Sequence, residues 1–324
     1  MSTSNLAAPT LGNTGPLLER LHLRDFYSLP IPAIHDLFRA AAFLELQFCS
    51  AAPDVLPVDG DASAEVVGES LPAEGRPSSA LVRHLTLKTP SMVALLGHPE
   101  FAYAARGLCT LSLDVGANRG ARGMVDIAAL CAAASPALET LVLSGPARGQ
   151  ATISDPRPLP ANMVYPRVFL PRLQSLRFNI GWSDLQDAGA SSAGSGWFAL
   201  WVFNLNSHFA ARRLQRVELH VGMPIAAGHG HMHGRSRISL SSQLVEALEA
   251  FLRRHAASIQ CVEWAMRFPA RDYAGASDAT ERKRMAAEEE KVFELTLRKA
   301  FGWAEANGLL AFKAVHLPVG STGI

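Results

Sequence analysis

The run Leu138-Glu139-Thr140-Leu141-Val142-Leu143 decides the fold. Leu141 and Leu143 lie two apart and therefore point to one side of an extended strand. Leu138, three residues earlier, tucks inward where the chain turns into that strand. Glu139 and Thr140 between them are polar and suit solvent or an adjacent loop. A strand buried on both faces reads as continuously apolar, so this hexad predicts a short strand in a parallel sheet with one covered face.

The same apolar-x-x-apolar-x-apolar pattern returns along the chain. Upstream it reads LERLHL (Leu18, Leu21, Leu23), FLELQF (Phe43, Leu46, Phe48), VRHLTL (Val82, Leu85, Leu87) and LCTLSL (Leu108, Leu111, Leu113). Downstream it reads LQSLRF (Leu173, Leu176, Phe178), LQRVEL (Leu214, Val217, Leu219), IQCVEW (Ile259, Val262, Trp264) and FKAVHL (Phe312, Val315, Leu317). The central positions stand 25 to 53 residues apart; the shorter spacings fall in the leucine-rich range of roughly 20–29 residues and the others exceed it. The pattern predicts an α/β fold: an irregular leucine-rich-repeat-like solenoid with a parallel strand on one face and helices or turns on the other. The competing reading is an α/β fold whose strands merely resemble one another.

The intervals supply the cover. Pro30 and Pro32 precede Ile34, Leu37, Phe38 and Ala41 at helical spacing, and GMVDIAALCAAASP is alanine-rich with a closing Pro136. Trp197, Trp201, Leu205 and Phe209 fall on roughly one helical face. SSQLVEALEAFLRRHAAS begins with Ser242 as a cap and carries Leu244, Leu248, Phe251 and Leu252 inward. The longest predicted helix runs from about 279 to 307, with Met285, Val292, Leu295 and Phe301 inward. The organisation expected is a flexible N-terminus at 1–16, one repeat domain over 17–319 with loop insertions at 50–79 and 144–166, and a tail at 320–324. Further loops are expected at 181–196, 222–235 and 269–279.

Composition narrows the function classes. With 30 Lys+Arg against 29 Asp+Glu the net charge is +1, so no global field gathers nucleic acid or anionic lipid. The 48% hydrophobic content is that of a folded globular chain. Cys49, Cys109, Cys131 and Cys261 stand far apart with no CxxC pair, the usage of free buried thiols in a reducing compartment. The N-terminus carries no basic leader with an apolar core, and no apolar run reaches the ~18 residues of a membrane span. An intracellular protein, cytoplasmic or nuclear, is expected.

The stretches LERLHLRDFYSLPIPAIHDLFRAAAFLELQF, VRHLTLKTP, LETLVLSG and LPRLQSLRF resemble the degenerate leucine-rich region of F-box-type proteins, especially the divergent sets of mushroom-forming fungi. The similarity spreads over 17–317 as a style of repeat, without a signature motif. The resemblance implies substrate-type recognition of a protein on the strand face. An F-box, which would recruit a ubiquitin-ligase adaptor, is not legible: the first strand begins at Leu18, and in LPAEG (Leu71 to Gly75) the following Gly75, Arg76 and Pro77 break the helix the motif requires.

Candidate chemistry is sparse. In GHGHMHG, His229, His231 and His233 alternate and would share a face if extended, a set of nitrogens able to hold zinc, copper or nickel. The surrounding glycines favour an exposed loop without a functional metal. The run Ser112 to Gly123 lacks both GxGxxG and GK[ST], so a solvated turn is preferred over a phosphate loop. There is no GxSxG elbow and no cysteine in an activating context. Asp114, Ser144 and Asn179 each follow a repeat strand and, with Trp182, are the candidate protein contacts; Trp182 and Trp303 are read as part-exposed anchors and Trp264 as core. No catalytic set, cofactor or metal is expected. The function read from the sequence is a non-enzymatic protein-interaction scaffold; the alternatives are an enzyme with a loop-built site and a remnant of a larger F-box protein.

Overall fold

The structure, a computed structural model, describes residues 18–51, 82–98, 101–115, 121–145, 167–185, 198, 201–202, 205–207, 209–222, 240–268 and 279–316. Their strands are β1 (Leu18–Arg24), β2 (Ala41–Gln47), β3 (His84–Leu87), β4 (Thr110–Asp114), β5 (Thr140–Ser144), β6 (Val168–Phe169), β7 (Ser175–Gly181), β8 (Phe209–Ala210), β9 (Arg216–Gly222), β10 (Cys261–Phe268) and β11 (Leu310–His316). Nine of them form one sheet in the order β1-β2-β3-β4-β5-β7-β9-β10-β11, while β6 and β8 pair separately. All pairings are parallel. The protein is a mixed α/β fold built on a large open parallel sheet, and the sheet does not close into a barrel.

Register explains why the hexads repeat. Leu21, Leu44, Leu85, Leu111, Leu141, Leu176, Val217, Val262 and Leu310 form one cross-strand row. Leu23, Leu46, Leu87, Leu113, Leu143, Phe178, Leu219, Trp264 and Phe312 form the next. From β2 to β10 every member of both rows is at most 1% exposed. Each such side chain contributes about 1.5–3 kcal/mol of burial, so the two rows are the main apolar investment of the sheet.

Two hexads sit elsewhere than the pattern predicts. In β2 the inward residues are Leu44 and Leu46, led by the buried Ala41, whereas Phe43 lies on the opposite face beneath the Arg20 guanidinium. Phe48, expected inward, has φ +52° and lies beyond the strand. The aromatic residues mimic the hexad, but strand parity is fixed by the pairing of Leu21 with Leu44. At the other end, Val315 pairs with Arg267, and Leu310 and Phe312 continue the rows. The strand therefore starts five residues before the predicted centre, and Leu317 lies outside the described residues.

A main-chain device joins the middle rungs. The carbonyl of Arg83 accepts from the amides of both Cys109 and Thr110, and Cys109, Glu139, Gln174 and Gln215 repeat this towards the next strand, all at 2.8–3.2 Å. Each carbonyl belongs to the residue that follows the first apolar position of its hexad, and at Glu139 that position is the one read from the sequence as suiting solvent or an adjacent loop. Backbone satisfaction, obligatory in a half-buried sheet, is thus met where the chain turns into each strand.

The helices are α1 (Ile31–Ala40), α2 (Pro90–Gly97), α3 (Ala102–Ala105), α4 (Ala121–Ala134), α5 (Ser242–Arg254), α6 (Ala279–Ala300) and α7 (Gly302–Ala306). They bury Ile34, Phe38, Met92, Ile127, Leu130, Leu248, Leu252 and Leu297 in one core with the leucine rows. Pro30 is the N-cap of α1, and that helix runs directly into β2. Ser241, not Ser242, caps α5, its hydroxyl accepting from Leu244 N at 3.4 Å. The long C-terminal helix breaks at Phe301, and its inward face is rotated: Phe293 and Leu297 are buried while Val292 and Leu295 are about half exposed. The predicted Trp201 and Leu205 are helical and buried, Phe209 belongs to β8, and Trp197 lies outside the described residues. So do 52–81 and 146–166, the bulk of the two expected insertions. No helix among the described residues is long and apolar enough to cross a membrane.

Candidate functional site

The side of the sheet away from the leucine rows is set by the same alternation. Residues between the inward positions point there: Thr86, Ser112, Val142, Arg177, Glu218 and Glu263 in one row. One step along the strands the row is Asp114, Ser144, Asn179, His220 and Ala265. Over β4 and β5 the face is small and mostly polar, interrupted by the buried Val142, and it becomes densely charged over β7, β9 and β10.

Glu218 organises that charged end. It is 6% exposed, and both of its oxygens are engaged. Arg177 Nε donates to Oε2 at 2.7 Å, Arg216 Nε forms an ion pair with Oε1 at 3.0 Å, and His220 Nε2 lies 3.2 Å from Oε2. Arg216 also donates through Nη2 to Glu263. Arg267 Nη2 lies 2.7 Å from His220 Nδ1. Because a guanidinium only donates, Nδ1 is the acceptor and the ring proton sits on Nε2, directed at Glu218.

The charge states follow from these neighbours. Burial raises the Glu218 pKa, but the hydrogen bond and charge of Arg177, aided by Arg216 and His220, outweigh it and hold the carboxyl below its usual range. Burial, then the charges of Arg177 and Arg267, lower the His220 imidazole in spite of Glu218. Burial and repulsion from Arg177 also lower Arg267, while the hydrogen bond to Glu263 raises Arg216. His220 is therefore neutral near pH 7, with its only lone pair occupied by Arg267. Such a ring is poorly placed to accept a proton from a reacting group.

The expected contact residues are partly brought together. Asp114, Ser144 and Asn179 do share one register row, and Asn179 Nδ2 donates to Ser144 Oγ at 2.8 Å. Trp182 is not an exposed anchor: it is 7% exposed and packs edge-to-face on Phe293, with ring centroids 4.8 Å apart. It begins the 3-10 turn Trp182–Leu185 that folds back towards the helical side. Trp303 is half-buried with Arg253 over its ring at 5.7 Å, and Trp264 is core. His229, His231 and His233 lie outside the described residues. Among the described residues no group of three or more His, Cys, Asp or Glu is arranged to hold a metal.

The four cysteines are free. Burial pushes the Cys131 thiol up to about 12. Cys261, which opposes Arg216 on the polar face, is also raised by burial, against the pull of Arg216. Neither is an activated nucleophile.

A second feature borders the strand starts of β7, β9 and β10. An open groove of about 400 Å³ is lined by Gln174, Gln215 and Gln260, by Arg212 and Arg213, and by Ser258. Arg212 lies over the Phe169 ring at 5.5 Å.

Arg177, Arg216, Glu218, His220, Glu263 and Arg267 were absent from the sequence-derived contact set. A signal existed. Stacking LRF, VEL and VEW from the sixth, seventh and eighth hexads puts Arg177, Glu218 and Glu263 side by side. No protein-family model matches this chain, and neither a curated protein nor a solved structure matches it.

Proposed function

We propose that the chain is an irregular leucine-rich-repeat-like solenoid that acts as a protein-interaction scaffold without catalysis, its polar strand face holding the partner. The observation that carries this reading is the division of each strand. One side belongs to an uninterrupted pair of apolar rows, and the other carries mostly polar rows, broken at Val142 and Ala265, that run from strand to strand in chain order. An extended ordered surface of this kind suits another protein better than a small molecule. The occupied lone pair of His220 supports the absence of acid-base chemistry. The likeness of the hexads to F-box-type leucine-rich regions favours substrate-type recognition as the biological use, and it is an analogy of style.

Three parallel baits in a lysate of the source organism test it: the wild-type chain, Ser112→Trp, which fills the polar face, and Glu246→Trp on the exposed side of α5. The expected result is a protein retained by wild type and Glu246→Trp and lost from Ser112→Trp. Recovery of the same proteins on all three baits overturns the face assignment.

A further inference from the structure

Three consecutive rungs of the large sheet are entered through the same kind of short run. Arg172-Leu173-Gln174 leads into β7, Arg213-Leu214-Gln215 into β9 and Ser258-Ile259-Gln260 into β10. Ser175, Arg216 and Cys261 share one register row, so the residues counted back from them correspond. The three glutamines therefore stand side by side, and their backbones are joined. Gln215 N donates to the Gln174 carbonyl at 2.9 Å, and Gln260 N donates to that of Gln215 at 2.8 Å. The middle residue of each run is core, while the glutamines and arginines are exposed at the rim.

These glutamines, with Arg212, Arg213 and Ser258, line the open groove of about 400 Å³. Among the described residues no carboxylate lines it, and neither arginine has an ion-pair partner. Along the glutamine row the first carboxylate is Glu139, one strand beyond Gln174 and outside the lining. Arg212 is steadied by the Phe169 ring, over which its guanidinium lies at 5.5 Å. Both guanidiniums thus border one space together with three primary amides, and that space carries two unmatched positive charges.

We infer that this groove seats a phosphorylated Ser or Thr of a protein segment. A phosphate monoester carries about −1.5 to −2 charge near pH 7, the amount that Arg212 and Arg213 leave unmatched. Its oxygens accept from guanidinium forks in parallel pairs, whereas one carboxylate would neutralise only one arginine. Each glutamine adds an amide donor and a carbonyl acceptor. Set about 4.8 Å apart by the strand spacing, they suit the main chain on either side of the phosphorylated residue. A nucleic-acid strand fits less well. Single strands stack their bases on open aromatic rings, and the Phe169 ring is covered by Arg212. The inference does not rest on the polar strand face.

The probe is an acetylated and amidated Gly-Gly-phosphoserine-Gly-Gly peptide, titrated calorimetrically into the full chain beside its serine and glutamate counterparts. The phosphopeptide is expected to bind at least tenfold tighter than either counterpart. Arg212→Gln and Arg213→Gln are each expected to lose tenfold or more, as is Gln215→Glu, which puts a carboxylate into the groove. Arg284→Gln, on the exposed side of α6, should match wild type. All four side chains are exposed, so the variants are expected to fold, which thermal melts check. Should one fail, the three peptides on the wild-type chain still decide. No phosphopeptide binding at millimolar concentration, equal binding of the phosphoserine and glutamate peptides, or undiminished binding by a folded Arg213→Gln overturns the inference. Displacement of the phosphopeptide by inorganic phosphate at equal or lower concentration also overturns it, in favour of a free-phosphate site. Tighter binding of a deoxythymidine oligonucleotide overturns it in favour of a nucleic-acid backbone.

Discussion

Arg267 donates through Nη2 to Nδ1 of His220 at 2.7 Å, which holds the imidazole neutral between a cation on one side and Glu218 on the other. The ring's pKa lies below its ordinary 6.5, first through burial and then through the arginines. A depressed folded-state value means that the associated stability is whole above pH 6.5 and is lost as the pH falls through the folded value. The melting temperature should therefore drop between pH 7.5 and pH 5. His255, lowered by burial and Arg254, adds to the same limb, so His220→Gln should flatten the drop without abolishing it. An unchanged slope in that variant would mean that the ring is not held as described.

Removing the carboxylate that organises the patch tests its internal logic. Glu218→Gln leaves Arg177 and Arg216 facing a neutral amide, whose single carbonyl oxygen must serve in place of the two carboxylate oxygens that they and His220 share. Since both arginines keep a third or more of their side chains in water, the expected loss is about 1–3 kcal/mol, below that of a fully buried broken pair. Urea denaturation measures it. The acid limb should change as well. The lowered Glu218 pKa contributes stability that is present above its ordinary 4.5 and lost as pH falls through the folded value, and the variant lacks that component.

Register in β2 separates two readings by mutation. Leu44 is fully buried, so Leu44→Ala should cost about 2–5 kcal/mol. Phe43→Ala, which loses the Arg20 contact and a stacking neighbour in His84 on the polar face, should cost under ~1.5 kcal/mol. If Phe43 proves the more expensive residue, the strand is turned the other way.

The crossing of α2 over α4 allows no side chain at Gly97. A Cβ there would stand 2.9 Å from the Asp126 carbonyl oxygen. Gly97→Ala should destabilise by about 1–3 kcal/mol although alanine is the better helix former. Thermal melts of the variant should show a fall; a rise would mean that the two helices separate freely.

The sequence carried the existence of the strands more surely than their limits. Seven hexads lie in the register their leucines predict, because Leu21, Leu85 and Leu141 alternate with polar neighbours and leave one face to bury. The two misplaced hexads share a cause. Phe43 and Phe48 in one, and Val315 and Leu317 in the other, are as apolar as the true inward residues, and only the neighbouring strand breaks the tie. The rotated face of α6 arises similarly, since Val292 and Leu295 compete with Phe293 and Leu297 at nearly equal hydrophobicity. The charged patch was invisible for another reason. Arg177, Glu218, His220 and Arg267 are up to 90 residues apart, and each alone is an ordinary polar residue in a strand. Their meaning arises only when three rungs are laid in register.

Strand order has a consequence for how the molecule is made and how it yields. Each strand of the large sheet bonds only to the sheet strands that precede and follow it in chain order, β6 and β8 forming their own pair apart from it. During synthesis each new rung finds its template already in place, so the sheet can grow in the direction of translation with no early segment waiting for a late one. Under tension applied at the two ends, the same arrangement lets the terminal rungs peel away singly. The protein should extend in a series of small yields, more like a zip than a clasp.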